Sequence, residues 1–115
     1  MILSVPLNMH LMLCSLIFTT SFTEAYLLQA EEQFCERNFD AAERLYDAAI
    51  LSAKTHKFVN EQALSNELAG HFYLDTGRKI KSVNYFLRAF ENYTEWGAVA
   101  KAASLTKYFE VGDAA

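Results

Sequence analysis

The sequence predicts an all-α fold made of helical hairpins, and three observations lead to it. Apolar residues recur every three or four positions through most of the chain, which is the spacing of one face of a helix. The 115 residues include only one proline and four glycines, so few positions break a helix. Small and aromatic residues also recur forty positions apart, in four pairs: Ala30 and Gly70, Ala42 and Ser82, Tyr46 and Phe86, and Ala49 and Ala89.

The first predicted hairpin has clear helix-start signals. Ser21-Phe22-Thr23-Glu24 has the pattern of a capping box, in which the serine oxygen accepts from a free N–H group while the glutamate reaches back. The first helix is expected over residues 22–36. Asn38 suits the N-cap of a second helix, whose apolar residues keep the three-four spacing as far as Ala53.

The second predicted hairpin contains three of the glycines. Asn60 is expected to open a third helix, and Gly77 to end it, because glycine readily takes the left-handed C-cap conformation. Gly70 lies in the middle of that helix and costs stability unless a neighbour packs closely on it. The fourth helix is expected over residues 79–94, and Gly97 breaks the chain. A fifth helix should then cap the fourth through an inward face of Ala98, Ala102, Leu105 and Phe109.

The composition is that of one small globular domain. Hydrophobic residues make up 52% of the chain and charged residues 21%. The net charge of −4, with Lys and Arg scattered along the chain, offers no general attraction to nucleic acid. Cys14 and Cys35 are too few for a disulfide framework and lack the spacing of a zinc site. We expect a helical domain over residues 21–110, followed by a tail over residues 111–115.

Residues 1–20 form an uncharged apolar segment whose role the sequence leaves open. Residues 11–18 are similar to the apolar centre of a signal peptide, but a basic start is missing, and cleavage after Ala25 would cut the first helix. The segment is therefore a signal or anchor, the last helix of a preceding repeat, or an incorrect gene start. A membrane is not the expected partner, because three residues interrupt the apolar run that a bilayer span requires: Pro6, Asn8 and His10.

The two hairpins share one pattern of small and aromatic residues. In each hairpin, a small residue on the first helix is followed twelve positions later by the first of three small or aromatic residues on the second helix. In the first hairpin, Ala30 is followed by Ala42, Tyr46 and Ala49. In the second, Gly70 is followed by Ser82, Phe86 and Ala89. This pattern resembles the tetratricopeptide repeat, in which stacked hairpins bury a shared core. The resemblance implies tetratricopeptide-like helical hairpins in a right-handed solenoid fragment with a capping helix. Because the forty-residue period exceeds the roughly 34 residues of that family, we expect a lengthened linker between hairpins.

A second resemblance covers about Ser21 to Phe109. The chain is similar to the helical-repeat segment of very large signalling proteins that also carry a kinase-like region, an NTPase module, GAF sensors and a histidine kinase. The matching residues are 63–74, Gly77-Arg78, Tyr85, Ala89, Tyr93, Trp96-Gly97-Ala98 and Ala100-Lys101. This resemblance implies a helical spacer and docking segment, detached from its parent protein or the product of an incomplete gene.

The sequence contains no motif for catalysis or cofactor binding. It lacks the GxSxG, GxxxxGK[ST], GxGxxG and HExxH patterns, and its three histidines are too dispersed to predict a metal site. We therefore expect a cytoplasmic, non-catalytic module without cofactors that binds a protein partner or adjacent domains of a larger protein. The alternative is a secreted or membrane-tethered helical protein. The candidate partner contacts are Glu31, Asn66, Glu67 and Tyr73, for which solvated or packing roles are the alternative.

Overall fold

The computed structural model describes residues 22–109, and their fold is all-α. No strand occurs within that range. A short 3₁₀ helix, Thr106–Tyr108, follows the last α-helix. The α-helices are α1 (Phe22–Cys35), α2 (Phe39–Thr55), α3 (Val59–Asp75), α4 (Lys79–Trp96) and α5 (Val99–Ser104).

Some of the sequence predictions lie outside the described residues. These are the apolar segment 1–20 with its signal or anchor alternative, the serine of the proposed capping box, Cys14 and the tail 111–115. Within the described range, Asn38 occupies the N-cap of α2 as predicted, but its side chain makes no capping hydrogen bond and donates instead to Gln33 Oε1 at 2.9 Å. The helix predicted to open at Asn60 begins one residue earlier.

Three-residue turns join the first four helices, and the turn geometry recurs every twenty residues. After each turn residue in the left-handed conformation, the next N–H donates to the carbonyl five residues back at 2.8 or 2.9 Å, which closes the helix end. The left-handed residues are Arg37 (φ 63°), Lys57 (φ 60°), Gly77 (φ 84°) and Gly97 (φ 98°). The prediction of a lengthened linker is wrong, because residues 56–58 form a turn as short as its neighbours. The 17-residue helices α2 and α3 account for the longer period.

The core consists of two clusters that meet at α3. One cluster joins α1, α2 and α3, and the other joins α3, α4 and α5. All eight residues of the forty-position pairs are buried. At Gly70, a Cβ atom would lie 2.9 Å from the Phe86 ring, so the glycine allows α4 to approach α3 closely. The small-residue pattern therefore marks helix contacts, as the sequence predicted.

The α-helix after Gly97 is shorter than the fifth helix that the sequence predicted. Helix α5 ends at Ser104, and the 3₁₀ helix follows it. Two hydroxyl groups accompany this change, since Ser104 Oγ donates to the Lys101 carbonyl at 2.6 Å and Thr106 Oγ1 to the Ala103 carbonyl at 2.9 Å. Such local side-chain bonds compete with a continuing helix.

Candidate functional site

The four predicted contact residues are not on the surface. Glu31, Asn66, Glu67 and Tyr73 are each at most 5% exposed. We expected these side chains at the surface, but they lie in the core, where the alternative of a packing role would place them. Partner binding through them stays a prediction. Asn66, Glu67 and Tyr73 lie on α3, which contacts α1, α2 and α4 and has little surface left, whereas Glu31 lies on α1 and faces Tyr46 of α2.

Glu31 forms a buried hydrogen-bonded pair within the first hairpin. The Tyr46 hydroxyl of α2 donates to Oε2 of Glu31 on α1. Burial raises the pKa of Glu31 to about 7, although the bond from Tyr46 and the charge of His71 act in the opposite direction. Burial and the nearby carboxylate also raise the pKa of Tyr46. No ion pair among residues 22–109 includes Glu31.

Glu67 forms a second buried glutamate–tyrosine pair, within the second hairpin, and it has two further partners. The Tyr93 hydroxyl donates to Oε1 at 2.8 Å, and Lys101 Nζ donates to Oε2 at 2.9 Å. His71 Nε2 lies 3.8 Å from Oε2. Burial acts to raise the pKa of Glu67, but the nearby His71 and the bonds from Lys101 and Tyr93 together outweigh it, and the pKa is lowered. Burial thus favours the protonated form of Glu31, whereas the partners of Glu67 favour its ionised form.

Asn66 joins α3 to α4. Its Nδ2 donates to Asn92 Oδ1 at 3.0 Å and to the Gln62 carbonyl at 3.1 Å. Its buried Oδ1 accepts no hydrogen bond from the described residues. The Asn66 amide therefore links two helices, but its Oδ1 atom lacks a hydrogen-bond donor among the described residues. A buried acceptor without a donor costs free energy.

Tyr73 is the centre of an aromatic and cationic cluster. Its ring lies 4.9 Å from that of Tyr85, centroid to centroid. The Arg78 guanidinium carbon and Lys81 Nζ lie 4.7 and 4.6 Å from the Tyr73 ring centroid. Burial raises the pKa of the Tyr73 phenol, and Tyr85, Asp47 and Glu43 act in the same direction. The residue is thus a packing centre where α3 turns into α4.

These polar groups are arranged to hold helices together. Glu31 and Glu67 are each bonded to a tyrosine across their own hairpin, and the phenols have raised pKa values that keep their protons in place. Within residues 22–109, no group of three or more His, Cys, Asp or Glu side chains is placed to hold a metal ion. The four candidate residues thus support the fold.

The most distinctive exposed region is a set of large apolar side chains at one end of the molecule, which we call the apolar end. They are uncovered although apolar residues of this size are usually buried. Trp96, the only tryptophan in the chain, is 54% exposed. The apolar end consists of Phe22, Leu51, Phe58, Trp96 and Val99.

Contacts between helices place these five residues at the same end. Thr23 Oγ1 donates to Ser52 Oγ at 2.9 Å, so the start of α1 lies beside the last turn of α2. The short turn at residues 76–78 makes α3 and α4 antiparallel, with Tyr93 bonded to Glu67 at the middle of α3, so the end of α4 lies towards the start of α3. The turns that join α2 to α3 and α4 to α5 therefore lie at the end where α1 begins.

The sequence analysis missed two features of this arrangement. Lys101 is the main cation of Glu67, but 34 residues separate them and no local pattern connects them. The sequence predicts a chain break at Gly97 and includes Trp96 in the second resemblance, but it does not show that the Trp96 side chain is exposed. Both features depend on how helices far apart in sequence are brought together.

No family model, curated protein or solved structure matches the chain. No helix within residues 22–109 has the length and apolar character needed to cross a membrane.

Proposed function

We propose that this chain is a non-catalytic helical-repeat module for protein–protein interaction or spacing. Its hairpins would be of the tetratricopeptide kind, stacked as a right-handed solenoid fragment with α5 as the capping helix. The supporting geometry is the twenty-residue recurrence of the turns, with helices after them beginning at Phe39, Val59, Lys79 and Val99. A hairpin therefore occupies forty residues, and the four residue pairs occupy matching buried positions.

The observation that carries the binding role is the apolar end. An isolated exposed apolar residue is ordinary, but several at one end of a small domain mark a contact surface. Trp96 is of the residue type most enriched among energetically dominant interface positions. The partner would be another protein or an adjacent domain of a larger protein, in a cytoplasmic signalling setting such as the resemblance to multi-domain signalling proteins implies.

The test compares a double substitution at the apolar end with a matched control. Leu51→Ser with Val99→Ser removes two of its exposed side chains, whereas Leu87→Ser removes an exposed leucine from the middle of α4. Both variants should melt within a few degrees of the parent chain, because exposed residues contribute little to stability. Proteins captured by the parent chain are identified, purified and titrated against all three chains.

A partner that binds the apolar end should bind the parent and Leu87→Ser chains equally. It should bind the double variant at least about tenfold more weakly, which corresponds to a loss of about 1.4 kcal/mol. Trp96 emission should shift to the blue on binding, because the partner excludes water from the indole. A partner bound equally by all three chains, or the absence of any partner, contradicts the proposal.

A further inference from the structure

A basic surface cavity lies at the end of the molecule opposite the apolar end. Its volume is ≈ 600 Å³, and it is open to solvent. It lies beside the turn from α3 to α4, and three of the ten Lys and Arg residues lie within four positions of each other there. The sequence analysis expected Lys and Arg to be scattered along the chain, but three of them cluster at this turn. The lining residues are Gly77, Arg78, Lys79, Ile80, Lys81 and Asn84.

Two of the cations are held in place by the neighbouring hairpin. Arg78 Nη1 lies 3.1 Å from Glu43 Oε1, and Lys81 Nζ lies 3.0 Å from Glu43 Oε2. Both cations also lie over the ring of Tyr73. One carboxylate thus orients two cations without neutralising both. Positioned charges lose less side-chain entropy on binding an anion than free ones do.

Lys79 and Ile80 are two exposed residues of the lining. Lys79 belongs to no ion pair among the described residues. Ile80 is 86% exposed, the highest value among the large apolar side chains. Forty positions earlier, at the equivalent turn of the first hairpin, the corresponding residues are Phe39 and Asp40. The basic and aliphatic combination therefore belongs to the second hairpin alone.

We propose that this cavity binds an acidic peptide segment of a partner protein, one that carries carboxylates next to an aliphatic side chain. The carboxylates would pair with Lys79 and with the donors of Arg78 and Lys81 that Glu43 leaves free, since three cations and no acidic residue line the cavity. The aliphatic side chain would cover Ile80. A small inorganic anion would use the charges but leave Ile80 in water, so a peptide satisfies the whole lining. The net charge of −4 makes this basic region distinct from the rest of the chain.

The test is a fluorescence-anisotropy titration of the full chain with a labelled Glu-Glu-Leu-Glu-Glu peptide. A Lys-Lys-Leu-Lys-Lys peptide and a Glu-Glu-Ser-Glu-Glu peptide serve as probes of charge and of the aliphatic contact. The acidic leucine peptide should bind most tightly, and its affinity should fall when salt rises from about 50 mM to about 500 mM, because exposed charge pairs are screened. Inorganic phosphate at millimolar concentration should displace it only weakly.

Substitutions distinguish this cavity from the remaining surface. Lys79→Gln and Ile80→Ser should each weaken binding by roughly three- to tenfold, as expected for rim positions. Lys54→Gln removes an exposed lysine from the last turn of α2, at the other end of the molecule, and should have no effect. Equal loss with Lys54→Gln, equal binding of the serine peptide, or full displacement by phosphate overturns the proposal. Because the apolar-end variants leave this cavity intact, the two binding proposals can fail separately.

Discussion

The two hairpins each bury a glutamate bonded to a tyrosine, but they stabilise it differently. In the first hairpin, Glu31 has the Tyr46 hydroxyl and no ion-pair partner among the described residues, and its pKa rises to about 7. In the second, Glu67 has Tyr93 and also Lys101 from α5, and its pKa is lowered. Burial thus favours a proton on Glu31, whereas Glu67 is paired with a cation. The difference arises because α5 places Lys101 beside Glu67, whereas α3, which packs beside the first hairpin, forms no ion pair with Glu31.

Removing α5 should reduce stability the most. It takes away the helix that supplies the cation of Glu67 and covers part of the core of the second hairpin. A chain ending at Gly97 loses Lys101, the buried Leu105 and the Tyr108 ring that stacks on Phe86 at 4.1 Å. We expect a loss on the order of 5 kcal/mol, comparable with the whole stability of a small domain. The newly exposed Phe86 should also cause self-association.

This truncation is measured by thermal melting and sedimentation against a chain ending at Phe109, which keeps α5 and the 3₁₀ helix. A shortened chain that stays monomeric and melts at the same temperature shows that α5 does not cap the core.

The buried Glu31 should make stability depend on pH near neutrality. Its pKa is raised from 4.5 to about 7, so the folded chain binds the extra proton and stability falls as pH increases through this window. The full effect is on the order of 3 kcal/mol. Glu67 has a lowered pKa, so its contribution is lost only as pH falls through 4.5 and below.

Urea unfolding across this pH range separates the two glutamates. Glu31→Gln keeps an acceptor for the Tyr46 hydroxyl and should remove most of the slope between pH 4.5 and about 7. Glu32→Gln, on the exposed side of the same helix, should preserve the slope. An unchanged slope in Glu31→Gln would mean that Glu31 ionises normally in the folded chain.

Removing the cation from Glu67 should have an intermediate effect. Lys101→Met leaves the buried carboxylate with Tyr93 and His71, and breaking a buried pair is costly. Because Lys101 is itself 41% exposed, we expect only about 1–2 kcal/mol at neutral pH. Adding Glu67→Gln should recover part of the loss, and a double-mutant cycle by urea unfolding measures the coupling. Strictly additive single changes would show that the ion pair contributes nothing.

The smallest effects on stability should come from the turns. The turns share one left-handed geometry, but the residue in that conformation is a glycine in some turns and a lysine or arginine in others. Lys57 has a φ of 60°, whereas Gly97 has a φ of 98°. Lys57→Gly should relieve the left-handed conformation and stabilise the chain by up to about 1 kcal/mol, while Gly97→Ala should destabilise it by a similar amount. Thermal melting of both variants checks the signs, and a loss of stability in Lys57→Gly contradicts the prediction.

The sequence by itself was sufficient to place the helices and their shared core. Turn glycines at positions 77 and 97, and the three-four spacing between turns, are local signals, so the predicted helices agree with the observed ones to within two residues except at α5. The close packing at Gly70 also followed from sequence, because a mid-helix glycine costs stability unless a neighbour fills its space.

Only the tertiary structure decided the surroundings of Glu31, Asn66, Glu67 and Tyr73. Helical periodicity shows which residues share a side of one helix, but it does not show how many other helices cover that side. Asn66, Glu67 and Tyr73 lie in the core because helix α3 is covered by α1, α2 and α4, and Glu31 lies there because its side of α1 faces Tyr46 of α2. The pKa of Glu67 likewise depends on Lys101, a residue 34 positions away, because electrostatic interaction follows distance in space and not in sequence.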